Sequence, residues 1–247
     1  MAVDLTVKAA AHVHSDWSYD GAWSLTRIAD FFGKIGCRAV LMSEHDKTFD
    51  GNRWQLYQEA CAKASTAHTL LVPGMEYSDP DNTVHVLVWG ASAFSGKQQP
   101  TVTTLRKANE RGGFCVLAHP SRRQARQLID ESWFPLLQGL EIWNRKADGF
   151  APGMEALDLW SLHPHLSPFV GLDFHRPNQL FPLAMRFNID TLLSPDVVFR
   201  AMHSRNFTAT AMGIEAKYFK EKPLLSCMIA IERLRKSAAR LLRKLRS

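Results

Sequence analysis

Short β-branched apolar runs alternate along this chain with segments whose apolar residues return every third or fourth position. The runs lie near 6–11, 38–43, 69–73, 83–89, 114–118, 139–143, 168–172 and 206–211. Their length and composition predict strands. Between the first two, Leu25, Ile28, Phe32 and Ile35 repeat at helical spacing, with Ser24 placed to cap the start and Gly36 to stop the end. Further helices are predicted over 52–66 (through Trp54, Tyr57 and Cys61), 101–111, 121–131, 152–162 and 194–204. The last opens on Ser194-Pro195-Asp196, a capping hydroxyl followed by a proline where the first helical N–H has no partner to lose. Strands alternating with helices predict a mainly parallel α/β fold. Residues 213–223 read as a linker, so the expected organisation is a domain over 1–212 and a linker with tail over 213–247.

Polar residues interrupt the apolar runs in a pattern of their own. His12 and His14 (AHVHS), Asp20 (YDG), His45 (SEHD), Glu76 (PGME), His85 (VHVLVWG), His119 (LAHP), and Asp173 with His175 (GLDFH) are imidazoles and carboxylates without a thiolate among them. Such donors bind borderline and hard divalent ions. His12, His45, Glu76, His119 and Asp173 each fall at or just past the end of a proposed parallel strand, where the loops of an α/β barrel converge on one rim. Residues two apart on an extended strand end face the same way, so His12 and His14 can reach one ion. Singly, each motif also has an ordinary structural reading. Asp20 before Gly21 fits a plain turn, Asp16 competes with it as a ligand, and Glu44 and Asp46 read as supporting or exposed groups. His163-Pro164-His165 has the HxH spacing but closes a helical stretch and reads as a surface loop.

Charge changes the picture at one end only. The net charge is +6 over 247 residues, and the segment from Glu232 to Ser247 holds seven Lys/Arg against one Glu. The preceding chain is balanced, so the excess says little about a substrate of the body. On a helical wheel Ile231, Leu234, Ala238, Leu241, Leu242 and Leu245 share an arc of roughly 100°, opposite the basic residues. This basic amphipathic helix has three readings: docking on the body or on a second copy as a homo-oligomer, lying on an anionic membrane surface, or contacting nucleic acid. Without aromatic residues there, base stacking is not expected. The four cysteines are scattered without a CxxC pair, no apolar run could span a bilayer, and the first residues lack a signal-peptide pattern. The expected location is the cytoplasm, with peripheral membrane contact through the tail as one reading. A serine-hydrolase elbow, a Walker loop and a GxGxxG fingerprint are all missing, which leaves covalent-serine and nucleotide-kinase chemistry without support.

Taken together, HVHSDWSYDG, SEHD, LAHP and GLDFH resemble the four motifs of the PHP superfamily, named for polymerase and histidinol phosphatase. Glu76 and His85 fill the two intermediate ligand positions, and the resemblance runs from about residue 8 to residue 212. It implies a distorted (β/α)7 barrel binding up to three divalent ions, Zn²⁺, Mn²⁺ or Fe²⁺. His12, His14, Glu76 and Asp173 would hold the first ion, Glu76, His85 and His119 the second, and Asp20, His45 and His175 the third. The implied reaction is hydrolysis of a phosphomonoester or small nucleotide, with His12, His14, Glu76, His119 and Asp173 as the catalytic set. Arg122, Arg123 and Arg176 are the expected phosphate contacts, since guanidinium pairs with phosphate in a bidentate fork. Aspartate at position 20, and GLEIWN with Glu141 and Asn144, are similar to a branch that includes 5′-directed exonucleases, so exonuclease action on short oligonucleotides is the alternative. A metal-bound scaffold without catalysis is a third reading. The chain departs from the pattern in a longer Asp20 loop, in Glu44 where aspartate is usual, and in a very short substrate-side insertion.

Overall fold

Twelve strands among the described residues make two six-stranded sheets, with eight α-helices packed around them. The structure is a computed structural model that describes residues 6–244, with side chains as far as Arg240. The expected apolar and basic side chains at 241–246 lie outside the described residues. The strands are β1 (Thr6–Val13), β2 (Ala39–Met42), β3 (Glu44–His45), β4 (Leu70–Val72), β5 (Gly74–Ser78), β6 (His85–Trp89), β7 (Phe114–Ala118), β8 (Gly139–Asn144), β9 (Ser167–Gly171), β10 (Leu183–Asn188), β11 (Phe207–Ala211) and β12 (Ile214–Glu215). The helices are α1 (Leu25–Lys34), α2 (Gly51–Ala64), α3 (Thr101–Glu110), α4 (Ala125–Leu128), α5 (Arg145–Asp148), α6 (Met154–Leu162), α7 (Pro195–His203) and α8 (Lys222–Lys244).

One sheet runs β12-β11-β10-β1-β2-β4 and the other β3-β5-β6-β7-β8-β9. A parallel bridge between Val13 and Phe174 joins them beside the ends of β1 and β9. The pairing is mixed rather than mainly parallel: β5, β6 and β7 form an antiparallel meander, and β10 lies antiparallel to β1 and β11. The reversal of β6 matters for the site. Its first residue, His85, sits opposite Ser78 and Ala118, the last residues of β5 and β7. A strand entering at the rim therefore delivers its first side chain where its neighbours deliver their last.

The core is continuous. Ile28 and Phe32 of α1, Tyr57 and Cys61 of α2, Leu105 and Ala108 of α3, and Val198 and Met202 of α7 are buried against the strands. Ser24 caps α1 by accepting from Arg27 N, and Ser194 caps α7 from Val197 N, with Pro195 in its first turn. Gly36, at φ +81°, takes the left-handed turn that ends the first helix.

Three segments differ from expectation. The helix predicted over 121–131 is only the four-residue α4 and a 3₁₀ segment at Glu131–Leu136, because Arg123 and Gln124 adopt left-handed φ values of 46° and 64°. β10, which was not predicted, alternates buried Met185 and Phe187 with exposed Arg186 and Asn188. Residues 213–223, expected as a linker, contain β12, a 3₁₀ turn at Ala216–Tyr218 and the buried Phe219. Among the described residues no helix is long and apolar enough to cross a membrane.

Candidate metal centre

Glu76, in the middle of β5, is the hub to which the histidines converge. Its Oε1 lies 2.5 Å from His85 Nδ1 and 2.9 Å from His119 Nε2. Its Oε2 lies 3.1 Å from His45 Nδ1 and 3.3 Å from both His12 Nε2 and His14 Nε2. Asp173 stands across from it, 3.7 Å from His14 Nε2 and 4.0 Å from His12 Nε2. His175 and His45 reach outward to Asp20 at 3.2 and 3.5 Å. Asp16 is exposed on the same loop, so it is Asp20 that the fold turns toward the histidines.

Four triads offer donors within 4.8 Å of one another: His12, His14 and Glu76; Glu76, His85 and His119; His12, His119 and Asp173; and His14, His45 and His175. The first two match groupings expected from sequence. The last includes His14 where the resemblance implies Asp20. All nine residues lie in one cluster, and every one except the half-buried Asp20 is buried.

The backbone is bent to aim them. His12, His119 and Asp173 all have positive φ, at 59°, 23° and 49°. His12 occupies the register shift between Ala11 and Val13 where β1 meets β2, a bulge that redirects a side chain off the ladder. Gly171 is required by close packing: a Cβ there would overlap Glu141 Oε1 and approach His12 Cβ to 2.8 Å. Gly21 is likewise pressed against the Ser15 carbonyl, closing the Asp20 loop.

Buried partners hold the donors in place. His12 Nδ1 donates to Glu141 Oε1 at 3.0 Å, leaving Nε2 to face the cluster. Glu141 Oε2 accepts from His119 N at 2.8 Å and from Asn144 Nδ2 at 2.9 Å. Carboxylates that orient a metal-binding imidazole from behind are a recurrent feature of such sites. Glu44 is fully buried and accepts from Ser15 N, Ser15 Oγ and Ser18 Oγ, while Ser18 Oγ in turn accepts from His45 N at 3.0 Å. Asp46 accepts from Ser78 Oγ and Gln98 N, so neither flanking acid is exposed.

The electrostatics suit cations. Burial pushes the Glu76 carboxyl up, but His85, His12 and His45 outweigh it and hold the group well below its ordinary value. Asp173 is lowered in the same way, mainly by His12 and Lys146 against burial. Burial drives His14 well below the usual imidazole value, reinforced by His175 and His45. His12 moves well above it, since Glu141, Glu76 and Asp173 overcome its burial. Ionised carboxylates beside a neutral His14 are ready to ligate, and a cation would displace the proton that His12 holds.

His12 Nε2, His14 Nε2, Glu76 Oε2, Asp20 Oδ1 and His119 Nδ1 are buried without a hydrogen-bond partner. Glu76 Oε2 and Asp20 Oδ1 meet histidines at ion-pair distance only, and a buried polar atom left without a hydrogen bond costs about 1–3 kcal/mol. Several of them cluster on one small volume, which fits a set of donors for divalent ions.

Around this centre the structure adds Lys146 and Tyr19, which sequence reasoning did not single out, and places the expected arginines. Lys146, on α5, places Nζ 3.1 Å from Asp173 Oδ1 and 3.4 Å from His175 Nδ1 while its side chain stays 41% exposed. Tyr19 is exposed and stacks on His45 at 5.2 Å. Arg122 Nη1 lies 3.1 Å from His85 Nε2 and donates to the Asn82 carbonyl. Arg123 and Arg176 are exposed. His163 lies elsewhere, stacked on Phe134 and paired with Glu131.

No family model matches the chain, and no curated protein matches it. Solved structures do. PsfC from Pseudomonas syringae PB-5123 is similar at a TM-score of 0.57 and 14% identity, covering 81% of this chain and 98% of its own. A candidate metal-dependent phosphoesterase from Bifidobacterium adolescentis is similar at a TM-score of 0.52 and 16% identity, covering 80% and 96%. The fold is therefore shared with a protein of that description. Beside that shared fold, the donor cluster is one that could hold metal ions.

Proposed function

We propose that the chain is a PHP-type phosphoesterase, its two sheets forming a distorted (β/α)7 barrel, which hydrolyses a phosphomonoester or small nucleotide with up to three divalent ions, Zn²⁺, Mn²⁺ or Fe²⁺. The observation that carries this reading is the set of buried, unpartnered donor atoms converging between Glu76 and Asp173. A scaffold without metal chemistry would bear that cost to no purpose. His12, His14, Glu76 and Asp173 would hold one ion, Glu76, His85 and His119 another, and His45, His175 and Asp20 a third.

Ions bound there supply a polarised water near neutral pH and neutralise phosphoryl oxygens. The rest falls to the chain's own side chains. Glu141 keeps the His12 proton on Nδ1, so that Nε2 stays a donor. Lys146 and Arg122 stand at opposite edges of the cluster, against Asp173 and His85. Both are placed to turn outward and take phosphate oxygens once the carboxylates face metal. Tyr19 offers an exposed ring against which a leaving group can pack.

The test is a turnover screen with Mn²⁺ and Zn²⁺ over p-nitrophenyl phosphate, its bis ester, nucleoside monophosphates and bisphosphates, sugar phosphates and 5′-labelled oligonucleotides. His14→Ala and Asp173→Ala are expected to lower turnover at least about a hundredfold. Lys146→Met is expected to lower kcat/KM about tenfold, mostly through KM, as loss of a charge-assisted contact does. Activity that survives both ligand substitutions, or fewer than two bound ions per chain, overturns the proposal. Oligonucleotide cleavage with no monoester turnover selects the exonuclease alternative.

A further inference from the structure

α8 is anchored to the body by one face and leaves a different, apolar face uncovered. Met228 and Glu232 are buried, with Leu224, Leu225 and Ile229 partly so. The Glu232 carboxylate accepts from Phe150 N at 3.0 Å and pairs with Arg235 and Lys236, which fixes the helix against the loop after α5. At 100° per residue, Ile231, Leu234 and Ala238 lie about 120° around the helix from that contact. Ile231 is 48% exposed, Leu234 is 71% exposed, and Ala238 is exposed. The stripe that one reading of the sequence docks on the body is therefore not the surface that docks. The sequence repeats its spacing at Leu241, Leu242 and Leu245.

We propose that α8 seats this protein on anionic lipid membranes, with Ile231, Leu234 and Ala238 entering the headgroup boundary and the basic residues held above it. An interfacial helix needs an apolar face, a Lys/Arg-rich polar face and too little apolarity to span, and this 23-residue helix has all three. Arg233, Lys236 and Arg240 are exposed on the far side. A helix is about 10 Å across, close to one Debye length, so charges there still feel the lipid phosphates.

Charge argues against a second copy as occupant. Paired helices need opposite charges flanking the apolar seam. Here the tail's one acid, Glu232, is already engaged by Phe150, Arg235 and Lys236. The body, with as many acidic as basic residues, offers no net charge to attract a basic helix. Nucleic acid would satisfy the cations but leave the apolar stripe in water.

The experiment is vesicle co-sedimentation of the full chain at two salt concentrations. One vesicle is phosphatidylcholine alone and the other is equal parts phosphatidylcholine and phosphatidylglycerol. Binding is expected to the anionic vesicles, weakening with salt. Ile231→Glu with Leu234→Glu should reduce it about tenfold or more, at unchanged thermal midpoint. Equal binding to both vesicles, binding indifferent to the double substitution, or no vesicle binding at all overturns the proposal. So does a dimer in light scattering that the same substitutions dissolve, or salt-sensitive RNA binding in place of vesicle binding. These readouts do not depend on catalysis, so they stand or fall apart from the phosphoesterase reading.

Discussion

Glu141→Gln isolates how the fold prepares a metal ligand. The substitution keeps the shape of the side chain and changes one atom's role. Glu141 Oε2 receives two fixed donors, the His119 backbone N–H and the Asn144 amide. Only an oxygen can meet them, so the glutamine oxygen must take that place. Its NH₂ group then faces His12 Nδ1, where a carboxylate oxygen now accepts at 3.0 Å. Two donors cannot share that contact, so the imidazole proton moves to Nε2, the atom that faces Glu76 and Asp173. His12 is thereby lost as a ligand although it is still present. Removing a group that orients a ligand in this way weakens binding about tenfold to hundredfold, or about 1.4–2.7 kcal/mol. Competition with a chromophoric chelator measures the affinity for Mn²⁺ and Zn²⁺, and circular dichroism in EDTA checks the fold. Affinities within twofold of the parent protein would falsify the tautomer argument.

Two further outcomes follow from nearby geometry. Gly171→Ala forces a methyl into Glu141 and His12, and is expected to lower both metal affinity and thermal midpoint, with a stability loss of about 1–3 kcal/mol by denaturant titration. An unchanged midpoint would show that β9 gives way freely. Asp148, half-buried and accepting from Asn144 N, has its carboxyl pushed up to about 7, chiefly by loss of solvent around it. Its folded pKa exceeds its unfolded one, so the folded state binds the extra proton and loses stability as pH rises from about 4 to 7, levelling above that. Asp148→Asn is expected to gain on the parent by up to about 3 kcal/mol between pH 5 and pH 8. A constant difference across that range would mean the carboxyl titrates normally.

What sequence made legible was the part that repeats by rule. Ser24, Gly36 and Ser194 act through local backbone geometry, and they cap or stop helices where expected. The order of imidazoles and carboxylates was legible because most of them follow an apolar run. The missed features depend on contacts between distant segments. β10 carries polar Arg186 and Asn188 on its open face, and only pairing with β1 and β11 makes it a strand. The 121–131 segment has helical spacing but turns at Arg123 and Gln124. Lys146 carries no motif, and its place at the site appears only once α5 sets it beside Asp173. The Asp16 and Asp20 alternatives looked alike in sequence, and Gly21 packing on Ser15 is what turns one of them inward.

The reversed strand β6 also has a consequence for assembly. Glu76 and His85 lie on antiparallel strands joined by one hairpin, and His119 directly follows the third strand of the same meander. Entropy lost in closing a loop grows with the chain between its ends, and contacts near in sequence form soonest. The triad around His12 and Asp173 must instead wait for segments from both ends of the domain. The meander is thus the part of the centre that a refolding chain can complete first, giving an incoming ion a foothold before the two sheets have met.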